Sequence, residues 1–159
     1  MNAEINKEIP WAFFDGASQW EPPLGGAGAV IFFPSTKKMK IKFATGQASN
    51  NKAELSALWE TLKVEKNIHI QEIKMYGDSK VVIDWANEKS TIRAPHLQHL
   101  LAEIQTLKLS FIWISFGHVY RELNMEANAL SKEALAYQPD LMETEEVLDG
   151  TSTMHYETL

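Results

Sequence analysis

Three acidic residues stand where regular elements of the chain are predicted to begin or end. Asp15 and Asp78 each follow a short apolar run, and Glu54 lies in the first turn of a predicted helix. Carboxylates held close together repel one another unless a divalent cation neutralises them. A ligand set made only of oxygen atoms selects the hard cations Mg²⁺ or Mn²⁺. Taken singly, an Asp after a strand also suits a turn, and a Glu in a first helical turn suits the helix dipole.

The period of the hydrophobic pattern predicts the elements that hold these acids. Strict alternation over residues 38–43 is typical of a half-exposed strand, whereas Leu55, Leu58 and Leu62 recur at helical spacing. The predicted order is strands at 11–15, 27–33 and 38–43, a helix capped near Asn50 and Asn51, a strand at 73–76, helices opening at Ser79 and at Ala94-Pro95, a strand at 111–116, and a last helix from Met125 to about Tyr137.

This order predicts a mixed α/β fold in which helices cover a mixed sheet. A right-handed crossover makes the first and fourth strands parallel neighbours. Their carboxyl ends then lie side by side, which brings Asp15 and Asp78 together, and Glu54 joins them if the first helix packs over that end. The topology therefore predicts a site of three carboxylates.

Composition excludes several classes of protein and site. The 159 residues are 45% hydrophobic and 23% charged, which is ordinary for one globular domain. The absence of cysteine excludes disulfides, thiolate catalysis and cysteine-based zinc sites. No run of eighteen apolar residues exists, so no membrane partner is expected. The first residues carry no secretory signal, and we expect an intracellular protein of the nucleus or cytoplasm that is not secreted.

The net charge of −6 belongs to the last part of the chain. Residues 139–159 hold six acids and no Lys or Arg, which leaves fifteen acids against fifteen bases in residues 1–138. A neutral body neither predicts nor forbids a phosphate-bearing partner. We predict an N-terminal lead at 1–9, a single domain at 10–138 and an acidic, disordered tail at 139–159.

The motifs around the three acids resemble those of the type 1 ribonuclease H family. The matching segments occur in the family's order and are Asp15-Gly16-Ala17-Ser18 with Gly25-Gly26-Ala27-Gly28, Ser49-Asn50-Asn51-Lys52-Ala53-Glu54-Leu55, Tyr76-Gly77-Asp78-Ser79, His118-Val119-Tyr120-Arg121-Glu122-Leu123-Asn124, and Ala127-Asn128-Ala129-Leu130-Ser131. The resemblance covers about residues 10–137. Within the family, the chain is most similar to the ribonuclease H-like domains of plant retroelement polyproteins.

The resemblance implies a ribonuclease H-like fold with a five-stranded mixed sheet, in which two parallel strands follow three antiparallel ones. It implies an endonuclease that cuts the RNA strand of RNA–DNA hybrids and leaves 5′-phosphate and 3′-hydroxyl ends. Two Mg²⁺ ions, roughly 3.5–4 Å apart, would flank the scissile phosphate, and Mn²⁺ can substitute. Asp15 would bridge both ions, Glu54 and Asp78 would hold one, and Asn128 would help to hold the other. His118 resembles the loop histidine that helps a water or a product leave.

The resemblance also implies a surface for the hybrid. Asn50 and Asn51 would contact its minor groove, where the 2′-OH marks the RNA strand, and Ser49 would contact a phosphate of the DNA strand. The other implied nucleic-acid-binding positions are Gly16, Ser18, Ser79 and Asn124. Without the resemblance, Asn50 and Asn51 are equally a helix cap, and His118 is an ordinary loop histidine. The implied assembly is a monomer that works with the other domains of a reverse-transcriptase polyprotein.

Two departures from the family pattern bear on activity. Asn128 stands where the family usually has Asp; an amide oxygen can ligate Mg²⁺ but brings no charge, so we expect weaker ion binding and a reduced rate. Trp20-Glu21-Pro22 replaces a usual Gly-Asn-Pro in the first turn, which puts an acid near the phosphates. Two alternatives therefore stay open. Besides the endonuclease, the chain could be a catalytically weakened or inactive module that binds hybrids, or a DNA-cutting relative of integrases and resolvases. The Asn50-Asn51 pair argues against the DNA-cutting relative.

Overall fold

The structure is a computed structural model that describes residues 8–159, so most of the predicted N-terminal lead lies outside the described residues. The elements, in chain order, are β1 Trp11–Gln19, β2 Leu24–Phe32, β3 Lys38–Gly46, α1 Asn50–Asn67, β4 Glu72–Gly77, α2 Lys80–Ala86, α3 Pro95–Lys108, β5 Trp113–His118, a 3₁₀ turn Arg121–Leu123, α4 Met125–Ala134, β6 Leu141–Leu148 and β7 Thr151–Thr158.

The strands form one mixed sheet in the order β5-β4-β1-β2-β3-β6-β7. β1 pairs with β4 in parallel, and β4 pairs with β5 in parallel, while the remaining pairs are antiparallel. The mixed α/β class and the parallel crossover from β1 to β4 are confirmed. The prediction of five strands is wrong, because the described part of the sheet has seven.

Helices cover both faces of the sheet. Ala12, Phe14 and Ala29 lie in one buried cluster with the leucines of α1, which places α1 on that face. Side chains of a strand alternate between faces, and the neighbouring positions Gly28 and Val30 belong to the opposite face. There α4 lies so close that a Cβ atom on Gly28 would overlap the backbone of Ala127 and Ser131. This close approach fixes α4, and with it Asn128, against the middle of the sheet.

The last twenty residues fold as a hairpin, so the prediction of a disordered tail at 139–159 is wrong. β6 pairs with β3 along Lys38–Phe43, and β7 pairs with β6. Met142 of β6 is buried, and Glu143 accepts a hydrogen bond from the Tyr137 hydroxyl at 2.8 Å. The acids that indicated a solvated tail face the lysines of β3, as the 3.4 Å ion pair between Glu143 Oε2 and Lys42 Nζ shows.

The turn of the hairpin has a recognisable sequence signal. Asp149 and Gly150 both have positive φ, of 50° and 80°, and an Asp-Gly pair between alternating segments is a strong hairpin signal. The lysines of β3 lie on the polar face of the half-exposed strand predicted at 38–43, and ion pairs keep them half-buried. Lys38 Nζ lies 3.1 Å from Glu126 of α4, and Lys42 Nζ lies 2.8 Å from Glu133.

Among the helices in residues 8–159, none combines the length and the apolar character needed to cross a membrane.

Candidate active site

The parallel pairing of β1 and β4 sets two of the acids side by side. Phe14 is in register with Gly77, so Asp15 and Asp78 follow at the same edge of the sheet. Glu54 arrives from α1, just past its first turn and not within it as predicted. One carboxylate oxygen from each of the three residues lies within 4.8 Å of the other two. The structure therefore brings together the three acids whose convergence the topology predicts.

Gly16 explains how Glu54 comes so near. A Cβ atom at Gly16 would overlap the backbone of Ala53 and Glu54, so only glycine lets the start of α1 lie directly against β1. The Gly16 amide also donates a 2.9 Å hydrogen bond to Asp15 Oδ1. Gly16 thus sets both the position of the helix and the orientation of the first carboxylate.

The pKa values of Glu54 and Asp78 are both raised. The pKa of Glu54 rises to about 10, first because the carboxyl is buried, then because of its hydrogen bond with Asp15 and the charges of Asp15 and Asp78. Burial also raises the pKa of Asp78, and the charge of Asp15 adds to this. A hydrogen bond from Asn124 and the charges of Arg121 and His118 oppose that rise.

Two carboxylate oxygens of the cluster are left without a hydrogen-bond partner. Glu54 Oε2 and Asp78 Oδ2 are both buried and unpaired. A buried oxygen that accepts no hydrogen bond destabilises the folded state. A cation bound to these two oxygens would give them the partner that the chain does not provide. Oxygen-only donors in this number suit a hard divalent cation, so the residues present fit such an ion.

Asn128 joins the cluster from α4. Its Nδ2 donates a 2.8 Å hydrogen bond to Asp15 Oδ2, across 113 residues of chain. In this arrangement Asn128 acts as a hydrogen-bond donor and not as an oxygen ligand. The predicted ligand position is therefore adjacent to Asp15, but the amide oxygen is turned away from it.

His118 lies at the end of β5 beside the cluster. Its Nε2 is 3.2 Å from the Asp78 carbonyl oxygen, and its ring meets that of Tyr120 edge to face. Arg121, in the turn that follows, lowers the pKa of Asp78 by its charge. Arg121 is a site residue that was not predicted. Its place three residues after His118 is the signal that would have suggested it.

An exposed groove holds four of the predicted nucleic-acid-binding residues. It has a volume of about 590 Å³ and is lined by Ser18, Gln19, Trp20, Pro23, Gln47, Ala48, Ser49, Asn50 and Asn51. The cap of α1 is Ser49, whose hydroxyl accepts from the Lys52 amide at 3.2 Å, and not Asn50 or Asn51 as predicted. Ser18 Oγ donates a 2.6 Å bond to Asn50 Oδ1.

Two predicted nucleic-acid-binding residues have structural roles in this fold. Asn124 is only 1% exposed, and its Nδ2 donates to the Phe14 carbonyl at 2.9 Å, so the prediction of contact with nucleic acid is wrong for this position. Its side chain does not cap α4 either, because it is bonded to β1. Ser79 caps α2 by accepting from the Val82 amide at 3.3 Å, which accounts for a serine at this position.

A sequence profile of the family described as "Reverse transcriptase-like" matches residues 13–134. Ribonuclease HI of Halobacterium salinarum is 31% identical over 125 residues, which cover 78% of this chain and 63% of that protein. A bifunctional protein of Mycobacterium tuberculosis is 31% identical over 123 residues, covering 76% of this chain and 34% of its own length. The crystal structure of the Halobacterium enzyme superimposes with a TM-score of 0.75 at 30% identity, over 80% of this chain and 97% of that one.

The chain thus spans about a third of the mycobacterial relative, at 34%, and just under two thirds of the archaeal one, at 63%. The profile match over residues 13–134 contains all three acids and Asn128.

Proposed function

Because this chain belongs to the type 1 ribonuclease H family, we propose that it is an endonuclease that hydrolyses the RNA strand of RNA–DNA hybrids. The observation that carries the proposal is the cluster of Asp15, Glu54 and Asp78, whose carboxylate oxygens lie within 4.8 Å of one another. Two of these oxygens are buried without a partner, which is the state expected of ligands made for a cation.

The proposed cofactor is a pair of Mg²⁺ ions, for which Mn²⁺ can substitute. Asp15, Glu54 and Asp78 would supply charged ligands, and Asn128 would supply a neutral one. When bound in such a pair, the ions activate a water for in-line attack and stabilise the leaving 3′ oxygen. The products would carry 5′-phosphate and 3′-hydroxyl ends.

The chain's own residues orient this ligand set. The Gly16 amide holds one oxygen of Asp15 at 2.9 Å, and Asn128 holds the other at 2.8 Å. To offer its amide oxygen to a cation, Asn128 must rotate its side chain and give up the bond to Asp15. This cost, together with the missing charge, supports the proposal of weak ion binding at that position.

The groove beside the cluster is the proposed binding face for the hybrid. Ser49, Asn50 and Asn51 are exposed there, and amide and hydroxyl groups of this kind suit contacts with base edges and 2′-hydroxyls in a minor groove. Ser18 and Gly16 continue this surface toward the acids. His118, at the opposite side of Asp78, is proposed to help the exchange of water or product. All three carboxylates come from one chain, so we propose that a monomer suffices.

A second candidate function is hybrid binding without turnover. It is favoured by the 2.8 Å hydrogen bond in which Asn128 replaces a fourth carboxylate with a neutral donor. The two functions differ in one outcome, since a binding module retains affinity for the hybrid but cuts it in neither metal.

The deciding experiment is cleavage of an end-labelled RNA–DNA hybrid in Mg²⁺ and in Mn²⁺. Single-stranded RNA, double-stranded RNA and duplex DNA run alongside. Asp78→Asn serves as the blank, and Asp149→Asn, at an exposed turn far from the cluster, is the matched control. We expect cutting of the hybrid alone, abolished in the blank and kept in the control. Cutting of duplex DNA instead supports the integrase-like alternative, and binding without cutting supports the second candidate.

A further inference from the structure

Trp20 has an exposure that the packing of the fold does not explain. Its residue surface is 88% exposed, whereas Trp85 is 8% exposed and packs in the core. It lies in the turn just after β1 and forms one wall of the groove described above. The turn is held in shape by Gln19 Nε2, which donates to the Pro22 carbonyl at 3.2 Å. A large aromatic ring is thus presented to solvent from an ordered turn.

The opposite wall of the groove offers hydrogen bonds without positive charge. It is built by residues 47–51, in which Gln47, Asn50 and Asn51 are exposed amides. Among the nine described residues that line the groove, none is Lys or Arg, and the acid Glu21 follows Trp20 directly. The ammonium group of Lys52 donates to the Gln47 carbonyl at 3.3 Å, so this neighbouring cation is engaged by the backbone and is not part of the lining. A nucleobase is a flat, neutral ring with polar edges. Its face can stack on Trp20, and its edges can form hydrogen bonds with the amides of the opposite wall.

The position of Trp20 along β1 indicates which base it can reach. Five residues separate it from Asp15, and a strand advances about 3.3 Å per residue, so the two lie at most about 17 Å apart along the chain. This corresponds to about five nucleotide steps of about 3.4 Å each. Bases inside a duplex are already stacked on both faces, and aromatic side chains stack on bases that are unpaired.

We propose that Trp20 is a stacking platform for an unpaired base next to the hybrid, within about five nucleotides of the bond that is cut. The inference rests on the proposed function and narrows its substrate to hybrids that carry a single-stranded extension at that distance. This groove is also the proposed binding face for the hybrid, and the 2.6 Å hydrogen bond from Ser18 to Asn50 ties its two walls together. The unpaired base on Trp20 and the minor groove at Asn50 and Asn51 would therefore belong to one nucleic acid.

The test compares a blunt hybrid with the same hybrid bearing a short single-stranded extension. Affinities are measured in the Asp78→Asn background, so that no cleavage occurs, with Trp20→Ala and Trp20→Phe as variants. Trp113→Ala is the matched control, because Trp113 is also exposed, at 41%, but lies opposite Glu72 at the other end of the parallel strands. We expect the extension to improve binding about tenfold, a stacking contribution of ordinary size. Trp20→Ala removes this gain, while Trp20→Phe and Trp113→Ala keep most of it.

Salt dependence separates stacking from phosphate contact. Stacking releases few counterions, so the gain from the extension is expected to have the same fold value at about 50 mM and about 200 mM salt. A gain that vanishes at the higher salt, or an equal loss on blunt and extended hybrids in Trp20→Ala, overturns the inference.

The inference and the proposed function can fail separately. If the unaltered protein cuts hybrids but shows no preference for the extension, the platform is wrong and the endonuclease stands. If it binds the extension through Trp20 but cuts nothing in Mg²⁺ or Mn²⁺, the endonuclease is wrong and the platform stands.

Discussion

Asp15 receives two hydrogen bonds, one from the Gly16 amide and one from the Asn128 side chain. Both are neutral donors, so the site contains three carboxylates and no fourth charge from α4. Fewer negative charges reduce the repulsion within the protein when no cation is bound. The same lack of charge weakens the attraction for a divalent cation. We therefore expect the neutral side chain of Asn128 to raise the metal concentration that the protein requires for activity.

Asn128→Asp is predicted to lower the metal concentration that gives half-maximal cleavage. We expect a change of about tenfold, within the range that single changes around metal sites produce. The measurement is a Mg²⁺ titration of hybrid cleavage. Asn67→Asp adds the same charge at the exposed end of α1 and is the matched control. An unchanged half-maximal concentration in Asn128→Asp would show that this position is not a ligand.

The protonation of Glu54 predicts that metal binding releases a proton. Its pKa of about 10, raised first by burial and then by Asp15, keeps the carboxyl protonated at neutral pH in the metal-free protein. A bound cation displaces this proton, so metal affinity rises as the pH rises toward 10.

Calorimetric titration with Mg²⁺ in two buffers of different ionisation enthalpy counts the protons released. We expect about one proton at pH 7, and none from this site in Glu54→Gln. Glu65→Gln is the control, since Glu65 lies eleven residues further along α1, about 16 Å away at the rise of a helix. Heats that do not depend on the buffer in the unaltered protein would contradict the prediction.

At the scale of elements, α1 carries buried acids at both ends. Glu54 near its start belongs to the candidate active site, and Glu65 near its end belongs to the core. Glu65 is 0% exposed, and neither of its carboxylate oxygens has a hydrogen-bond partner in the described structure. Burial raises its pKa well above the ordinary value. Nothing in the structure explains why an acid stands there.

Glu65→Leu is predicted to stabilise the protein at neutral and alkaline pH. The unfolded chain loses this proton near pH 4.3, while the folded chain keeps it, so the folded state is penalised increasingly above that pH. The slope from this one group is about 1.4 kcal/mol per pH unit while the folded carboxyl stays protonated.

Urea unfolding at about pH 5 and about pH 8 measures this effect. We expect the free energy of unfolding to fall less between the two pH values in Glu65→Leu than in the unaltered protein. Glu103→Gln, which removes an exposed acid of α3, should leave the difference as it is. Equal pH dependence in Glu65→Leu and the unaltered protein would mean that Glu65 is ionised in the fold.

At the scale of the whole molecule, the C-terminal hairpin extends the sheet beyond β3. The two strands differ in how they are packed. Met142 and Glu143 of β6 are buried, whereas β7 is exposed along its length. Two acids of β6 form ion pairs with lysines in or just before β3: Glu143 pairs with Lys42, and Glu146 pairs with Lys37. β6 is therefore part of the folded domain, and β7 adds mainly an outer edge.

Removal of residues 139–159 is predicted to cost at least about 2 kcal/mol of folding free energy, since the burial of a Met side chain alone contributes about that much. Removal of residues 149–159 keeps β6 and should cost less than half as much. Urea unfolding of the two shortened chains and the full chain measures the difference. Equal stability of the full chain and the chain ending at residue 138 would contradict a structural role for the hairpin.

The hydrophobic pattern was sufficient to predict β1 to β5, the four α-helices and the convergence of the acids, because these follow from local rules; it did not predict β6 and β7. Alternation at 38–43 and helical spacing at Leu55, Leu58 and Leu62 reflect which side chains avoid water. The handedness of the crossover then makes β1 and β4 parallel neighbours. Asp78 directly follows β4, and Asp15 lies inside β1 just beyond its last pair with β4, so their meeting follows from the parallel pairing alone.

The burial and the partners of some side chains became known only from the three-dimensional structure, because the groups they contact lie far away in the chain. Six acids indicate a solvated tail until β3, about a hundred residues earlier in the chain, places Lys40 opposite Glu145 and Lys42 opposite Glu143. Asn124 resembles a binding residue until its amide meets the Phe14 carbonyl, 110 residues away. Trp20 resembles a core residue by type, yet no element packs over it. The burial of a polar or aromatic side chain depends on what lies across from it, and local sequence does not contain that information.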